Sequence, residues 1–283
     1  MIAGQPSQTM VQTALLRAVH QLLDEPRLFD DPIAIDLVPE ASRDAILRAE
    51  PKYRTPILSG RRAHVALRSR FAEDRLAAAA VRGVRQYVIA AAGLDTFPWR
   101  QPSFARQMRI FVADLPESLA MLQDCVRRRG LPQPANLAYV PIDLERKDLL
   151  KPLVAAGFDP QRPAFCSALG IVQFLTLEAV DALLTFAAKR GKDSEIVFSF
   201  TPPDDELGER ELRRVHESQV RTQGYGEPWL TRLRGSQLTA RLSLLGFSDI
   251  ELLTPDLANQ RYFHGRADGL ASTSSGQVMA AAV

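Results

Sequence analysis

The chain has 283 residues, 46% of them apolar and 24% charged, which is an ordinary globular composition with enough length for a sizeable core. The net charge of +2 gives no bias toward nucleic acid or an anionic membrane surface. Cys125 and Cys166 form no CxxC pair, and the four histidines (His20, His64, His216, His264) form no HExxH or HxH, so neither a disulfide framework nor a dedicated metal site is expected. Of the 35 basic residues only five are Lys, a skew read as genomic composition rather than function. No apolar run approaches the roughly 20 residues of a membrane span. The start, MIAGQPSQTM, has neither a basic region nor an apolar stretch of the secretory kind, so the expected location is cytoplasmic.

The first 80 residues read as helical. Val11 to Asp24 carries apolar residues at helical spacing and stops at Pro26. Phe29-Asp30-Asp31-Pro32 reads as a turn, and two further helices are expected at Ala41–Arg48 and Ala63–Val81, the latter closed by Gly83. Short apolar runs then alternate with helices. The runs are Gln86–Ala91, Arg109–Ala113, Leu137–Ile142, Ala164–Leu169 and Ile196–Phe200, with helices at Pro116–Arg129 and Leu177–Arg190. This pattern predicts βαβ units and a mostly parallel sheet with helices on both faces, an α/β Rossmann-like fold.

After Pro202-Pro203-Asp204-Asp205 the alternation breaks. Helices are expected at Leu207–Gln223 and Gln237–Leu245, then a closing pair of strands at Ile250–Thr254 and Gln260–Phe263. The stretch from Ala271 has small residues and no periodicity, and reads as disordered. The division expected is a helical segment (1–82), a core (83–270) with a cap insertion at about 202–235, and a tail (271–283).

In such a sheet ligands bind beyond the carboxyl ends of the strands. Those ends carry Ala91-Ala92-Gly93, Asp114 and Asp143. Asp114 lies 21 residues after Gly93 and is placed to accept hydrogen bonds from a ribose diol, and Asp143 from an exocyclic amine. Both carboxylates would serve equally as caps of the turns that follow them. The segment AAAGLDTF offers one glycine, not GxGxxG, so no loop is ready to wrap a pyrophosphate. An adenosine cofactor without phosphates fits better, and S-adenosylmethionine is the obvious one.

At this point the residues carry a resemblance. Arg68-Ser69-Arg70-Phe71-Ala72-Glu73-Asp74, followed by Val84-Arg85-Gln86-Tyr87-Val88-Ile89-Ala90-Ala91-Ala92-Gly93-Leu94-Asp95-Thr96-Phe97, resembles the signature of the leucine carboxyl methyltransferase-like family. Phe29-Asp30-Asp31-Pro32, Ala113-Asp114-Leu115-Pro116, Val140-Pro141-Ile142-Asp143-Leu144, Arg261-Tyr262-Phe263 and Gly265–Leu270 resemble further boxes of that family, over roughly residues 7 to 270. The resemblance implies a class I methyltransferase with a seven-stranded sheet and one antiparallel strand at the edge. It also implies that the helical N-terminal segment and the insertion after strand five cover the site. It adds Leu115 and Leu144 to the cofactor-binding set. It puts the arginine that pairs with the cofactor's methionine carboxylate in the RSR segment, with Arg68 the first choice and Arg70 the second.

Two departures stand out against the family pattern. Ala91 stands where a glycine is usual, narrowing the room for the cofactor. After strand four, Ala168 to Phe174 lacks the acid of eukaryotic members and has Phe174 in place of their tyrosine, which speaks against protein-carboxyl methylation. The resulting expectation is O-methylation of a small-molecule carboxylate or hydroxyl, in secondary metabolism. Substrate contacts are expected from Gln173, Phe174, Tyr225, Trp229, Arg261 and Tyr262, with Arg261 holding an anionic group. No catalytic base is assigned, although His20 and His264 are candidates. A degenerate cofactor-binding protein and an NAD(P)-dependent oxidoreductase are the alternatives, the latter disfavoured by the missing GxGxxG. The oligomeric state stays open.

Overall fold

The computed structural model describes residues 6–38 and 43–283. Its sheet has seven strands: β1 (Gln86–Ala90), β2 (Arg109–Asp114), β3 (Leu137–Pro141), β4 (Phe165–Ala168), β5 (Glu195–Phe200), β6 (Asp249–Leu253) and β7 (Gln277–Ala282). They lie in the order β3-β2-β1-β4-β5-β7-β6. The first five pair in parallel, and β7 runs antiparallel to both β5 and β6. β1 and β5 are buried at every position, as expected of parallel strands covered on both faces. The reversal of strand order at β1/β4 opens the crevice in which ligands of this architecture bind.

The helical start is built from α1 (Gln8–Leu23), α2 (Arg43–Arg48), α3 (Glu50–Tyr53) and α4 (Pro56–Val81). The expected helix at Ala41–Arg48 begins partly outside the described residues. α4 starts seven residues earlier than expected, because Pro56 occupies the first helical position, where its missing N–H costs nothing. Between the strands lie α5 (Phe97–Arg100), α6 (Pro116–Arg128), α7 (Leu150–Ala155) and α8 (Leu177–Ala188); after β5 come α9 (Glu209–Gly224), α10 (Gly235–Leu244) and α11 (Pro255–Ala258). Buried Glu195, at the start of β5, accepts from Arg75 and, at 2.6 Å, from Arg82, fixing the end of α4 to the sheet.

Three expectations are corrected here. Gln260–Phe263 is not a strand: Thr254 caps Leu257 N–H and Pro255 opens a helical turn, which runs on as a π-type turn over Asn259–Phe263. The segment from Ala271 is not a disordered tail, because Gln277–Ala282 form strand β7, in which Val278, Met279, Ala280 and Ala281 are buried. The core therefore extends past residue 270. The antiparallel strand is also not the edge strand, since β7 sits inside the sheet and β6 forms the edge.

The FDDP turn joins the helical segment to the loop after β1. Asp31 is fully buried; it accepts from Thr96 Oγ1 at 2.6 Å and lies 3.3 Å from Arg100 and 3.8 Å from Arg17. Burial nevertheless raises its pKa. Arg100 also stacks over the Phe29 ring, 4.7 Å from its centroid. A second buried cluster joins α1 to α4. Asp24 accepts from Arg62 at 2.6 and 2.8 Å and bonds His20 Nδ1 at 2.7 Å.

Candidate active site

A cavity of about 260 Å³ lies beyond the carboxyl ends of β1, β4 and β5. Its floor is the loop after β1. Ala91 adopts φ +54 and Gly93 φ +56, so the backbone takes a left-handed turn that glycine tolerates better than alanine. Gly93 N–H donates to Asp114 Oδ2 at 2.7 Å, and Leu115 N–H donates to Asp114 Oδ1 at 2.7 Å. Each oxygen keeps acceptor capacity. Burial raises the Asp114 pKa, against the two N–H groups that lower it.

One face of α4 forms a wall. Arg61, His64, Val65 and Arg68 all line the cavity, at the i, i+3, i+4, i+7 spacing of a single helix face. The Arg68 guanidinium lies against Gly170, where an added Cβ would come 2.9 Å from Arg68 Cζ. Gly170 itself sits at φ +83, and its N–H donates to Ser199 Oγ at 2.7 Å. Arg68 makes no hydrogen bond or ion pair with any described residue. Burial and then the nearby Arg17 charge pull it down to about 10, Asp95 opposing. His64 Nδ1 is buried without a partner, and its ring packs on Gly276, where a Cβ would meet it at 2.6 Å. Burial, with Arg68 adding to it, holds the imidazole down at about 3, so it is neutral at ordinary pH.

The opposite wall and the roof come from α9 and α1. Trp229 meets Phe174 edge-on, with centroids 6.3 Å apart, and its Nε1 is buried without a partner. Glu227, buried in the loop after α9, accepts from Ser7 Oγ at 3.1 Å, Gln8 N–H at 2.6 Å, and Thr9 N–H and Oγ1 at 3.3 and 2.5 Å. A carboxylate on the free N–H groups of a helix start is doubly favourable, through hydrogen bonding and the helix dipole. It holds α1 across the cavity, with Met10 directly above Gly93, 3.0 Å from where a Cβ would stand.

The family model for leucine carboxyl methyltransferase matches residues 10–188. The chain belongs to this family. Its members' cofactor is S-adenosylmethionine, and the chain is a methyltransferase that uses it. A Bacillus subtilis protein that carries the name of an S-adenosyl-L-methionine-dependent methyltransferase, YktD, is 28% identical over 95% of each chain. A similarly named protein of Mycobacterium avium is 35% identical over 73% of this chain and 71% of its own. Among solved structures, a methyltransferase-like protein of Thermobifida fusca superposes with a TM-score of 0.65 at 14% identity, over 99% of this chain and 96% of its own. A DUF574 protein of Streptomyces avermitilis gives 0.58 at 16%, over 98% and 97%. At these identities the likeness speaks for the class I fold alone.

The structure sorts the residues singled out from the sequence. Arg68, Ala91, Ala92, Gly93, Asp114, Gln173, Phe174, Tyr225 and Trp229 line the cavity of this methyltransferase. Arg70 does not. Two residues along a helix from Arg68, it points outward to Asp74 at 2.9 Å and stacks on Tyr262 at 5.9 Å. Tyr262 donates to Asp74 at 3.0 Å and Arg261 to Glu251 at 2.7 Å, and neither lines the cavity. Leu115, Asp143 and Leu144 do not line the cavity either; Asp143 caps the turn after β3 through Glu145 N–H at 3.0 Å, and Leu144 is buried in the core. His20 is structural: its Nε2 accepts from Leu28 and Phe29 N–H at 3.1 and 3.2 Å, which leaves Nδ1 to donate to Asp24. His264 is exposed and away from the cavity.

Reading the sequence passed over Arg61, His64, Arg221 and Glu227. For the first two a signal existed, since their spacing from Arg68 puts all three on one helix face. Among the described residues, no helix is long and apolar enough to cross a membrane, and no cluster of His, Cys, Asp and Glu could hold a metal ion.

Proposed function

We propose that this methyltransferase transfers a methyl group to an oxygen of a small molecule, a carboxylate in preference to a hydroxyl, in secondary metabolism. The observation that carries the reading is Arg68: an unpaired, half-buried guanidinium in a cavity whose floor holds Gly93 and Asp114 and which α1 overlies. The residues fit the cofactor. Arg68 would pair bidentately with its methionine carboxylate, Asp114 would accept from its ribose hydroxyls, and Gly93 leaves room for close approach.

When bound, S-adenosylmethionine supplies an electrophilic methyl group on sulfur, so the protein's part is to bind, align and exclude water. Phe174 and Trp229 form an apolar wall for the acceptor, and Trp229 Nε1–H is free to donate to it. His64, held neutral, is a poor base but a usable hydrogen-bond partner, and this supports an acceptor that is already ionised. The Glu227 latch ties α1 over one side of the cavity, which favours a small acceptor over a protein terminus. Ala91 keeps the left-handed turn despite its side chain, which supports a working cofactor site over a degenerate one.

The test is calorimetric titration of S-adenosylhomocysteine into wild type, Arg68→Ala and Asp114→Ala, followed by transfer of labelled methyl to panels of carboxylic acids, phenols and alcohols. The expected result is micromolar binding, lost in both variants, and a base-labile methyl ester as product. Absence of binding to wild type, or a product methylated on nitrogen or carbon, would overturn the reading.

A further inference from the structure

The cavity has a second cationic end that the cofactor does not need. Arg61 on α4 precedes Arg68 by seven residues on the same face, about 10 Å along the axis. Facing it, α9 presents Arg214 and Arg221. Arg61 has one hydrogen-bond partner, Ser218 Oγ at 2.8 Å, and no carboxylate. Arg221 makes no hydrogen bond or ion pair with any described residue. Arg214 donates to Pro56 O at 3.0 Å, and its nearest carboxylate, Glu211, is 3.9 Å away. Burial, then the charges of Arg221 and Arg214, pull Arg61 down to about 10; Glu217 only partly offsets them. These three cations are crowded together with only Glu211, 3.9 Å from Arg214, and the Glu217 charge to offset them.

The cavity's own carboxylates do not supply a matching anion. Glu227 is taken up by the start of α1, Asp114 by two N–H groups, and Asp95 accepts from Phe97 N–H at 2.8 Å. The cofactor does not supply it either. Its one carboxylate is spoken for by Arg68, and its sulfonium and ammonium make it a net cation.

We propose that Arg61 and Arg221, in the field of Arg214, form an anion subsite that grips the acceptor by a carboxylate or phosphate remote from the oxygen that is methylated. This rests on the methyl-transfer reading and names its substrate class: an acceptor with a second anionic group. Guanidinium groups suit the role because they remain charged and can bind either anion through two parallel N–H bonds. His64 stands between Arg61 and Arg68 on the same face of α4.

The experiment titrates inorganic phosphate, and separately glutarate, into wild type, Arg221→Ala and Arg61→Gln, each with and without saturating S-adenosylhomocysteine. Arg221→Ala removes no hydrogen bond, and thermal melting checks that both variants fold. The expected result is anion binding to wild type that weakens about tenfold in each variant, the loss of one charge-assisted pair, while S-adenosylhomocysteine affinity stays within about twofold. Tighter glutarate than phosphate would identify a carboxylate acceptor, and the reverse a phosphorylated one. Anion binding that is absent from wild type, or unchanged in both variants, would overturn the subsite. Failure of S-adenosylhomocysteine to bind wild type would count against the methyl-transfer reading alone, because the anion titrations without it still decide the subsite.

Discussion

Gly170 lies directly under the guanidinium of Arg68, so a methyl at Gly170 could be accommodated only by moving that guanidinium. The φ of +83 at Gly170 favours glycine as well. Gly170→Ala should displace Arg68 and lower S-adenosylhomocysteine affinity by tenfold or more, approaching the effect of Arg68→Ala. Calorimetry on the two single variants and the double variant checks this. If the methyl acts only by moving Arg68, the double variant is no worse than Arg68→Ala.

His64 makes two linked predictions. Its pKa falls from the ordinary 6.5 to about 3 in the folded protein, so between these values the unfolded chain binds the extra proton. Stability associated with His64 is therefore complete above about pH 6.5 and is lost as pH falls toward 3. His64→Leu should flatten the acid side of the stability profile measured by denaturant unfolding from pH 7 to pH 4. On a carboxylate acceptor, His64→Gln should change kcat by less than about tenfold, whereas loss of a true general base costs about 10² to 10⁴.

Ala91 carries a left-handed backbone conformation at a methyl group's expense. Ala91→Gly relieves that strain, partly offset by the greater freedom of glycine in the unfolded chain. The net expectation is a stabilisation of up to about 1 kcal/mol, read as a small rise in Tm, with S-adenosylhomocysteine affinity equal or tighter.

Glu227→Ala removes the carboxylate that accepts from Ser7, Gln8 and Thr9. It leaves a helix start without its partner, at a cost of about 1 to 3 kcal/mol. Hydrogen exchange should accelerate over Gln8–Thr13 while β1 stays protected, and bound S-adenosylhomocysteine should dissociate faster. Unchanged exchange at α1 would show that Met10 and the Arg17–Asp31 contact hold the helix unaided.

Legibility of the sequence followed the physics of each element. Parallel strands buried on both faces show as short apolar runs, and Asp114 and Gly93 mark their ends, so the sheet as far as β5 and the floor of the cavity were readable. β7 was not, because half of Gln277-Val278-Met279-Ala280-Ala281-Ala282 is alanine, which signals no strand, and its pairing between β5 and β6 is set by residues far away in sequence. Arg68 and Arg70 could not be separated by spacing to Gly93. The packing of α4 separates them by turning positions two residues apart to different sides. Arg221 and Glu227 depend on how α9 and α1 meet, which no local pattern encodes.

The place of β7 has a consequence for assembly. β6 has no neighbour in the sheet other than β7, so it has nothing to pair with until residues 277–282 have been made and have docked on β5. A chain cut between Thr254 and Gln277 would thus lose β7 and leave β6 unpaired, with β5 as an open edge of buried sequence, a ready template for pairing with other chains. Residues 277–282 decide whether β5 is covered or left open to aggregation.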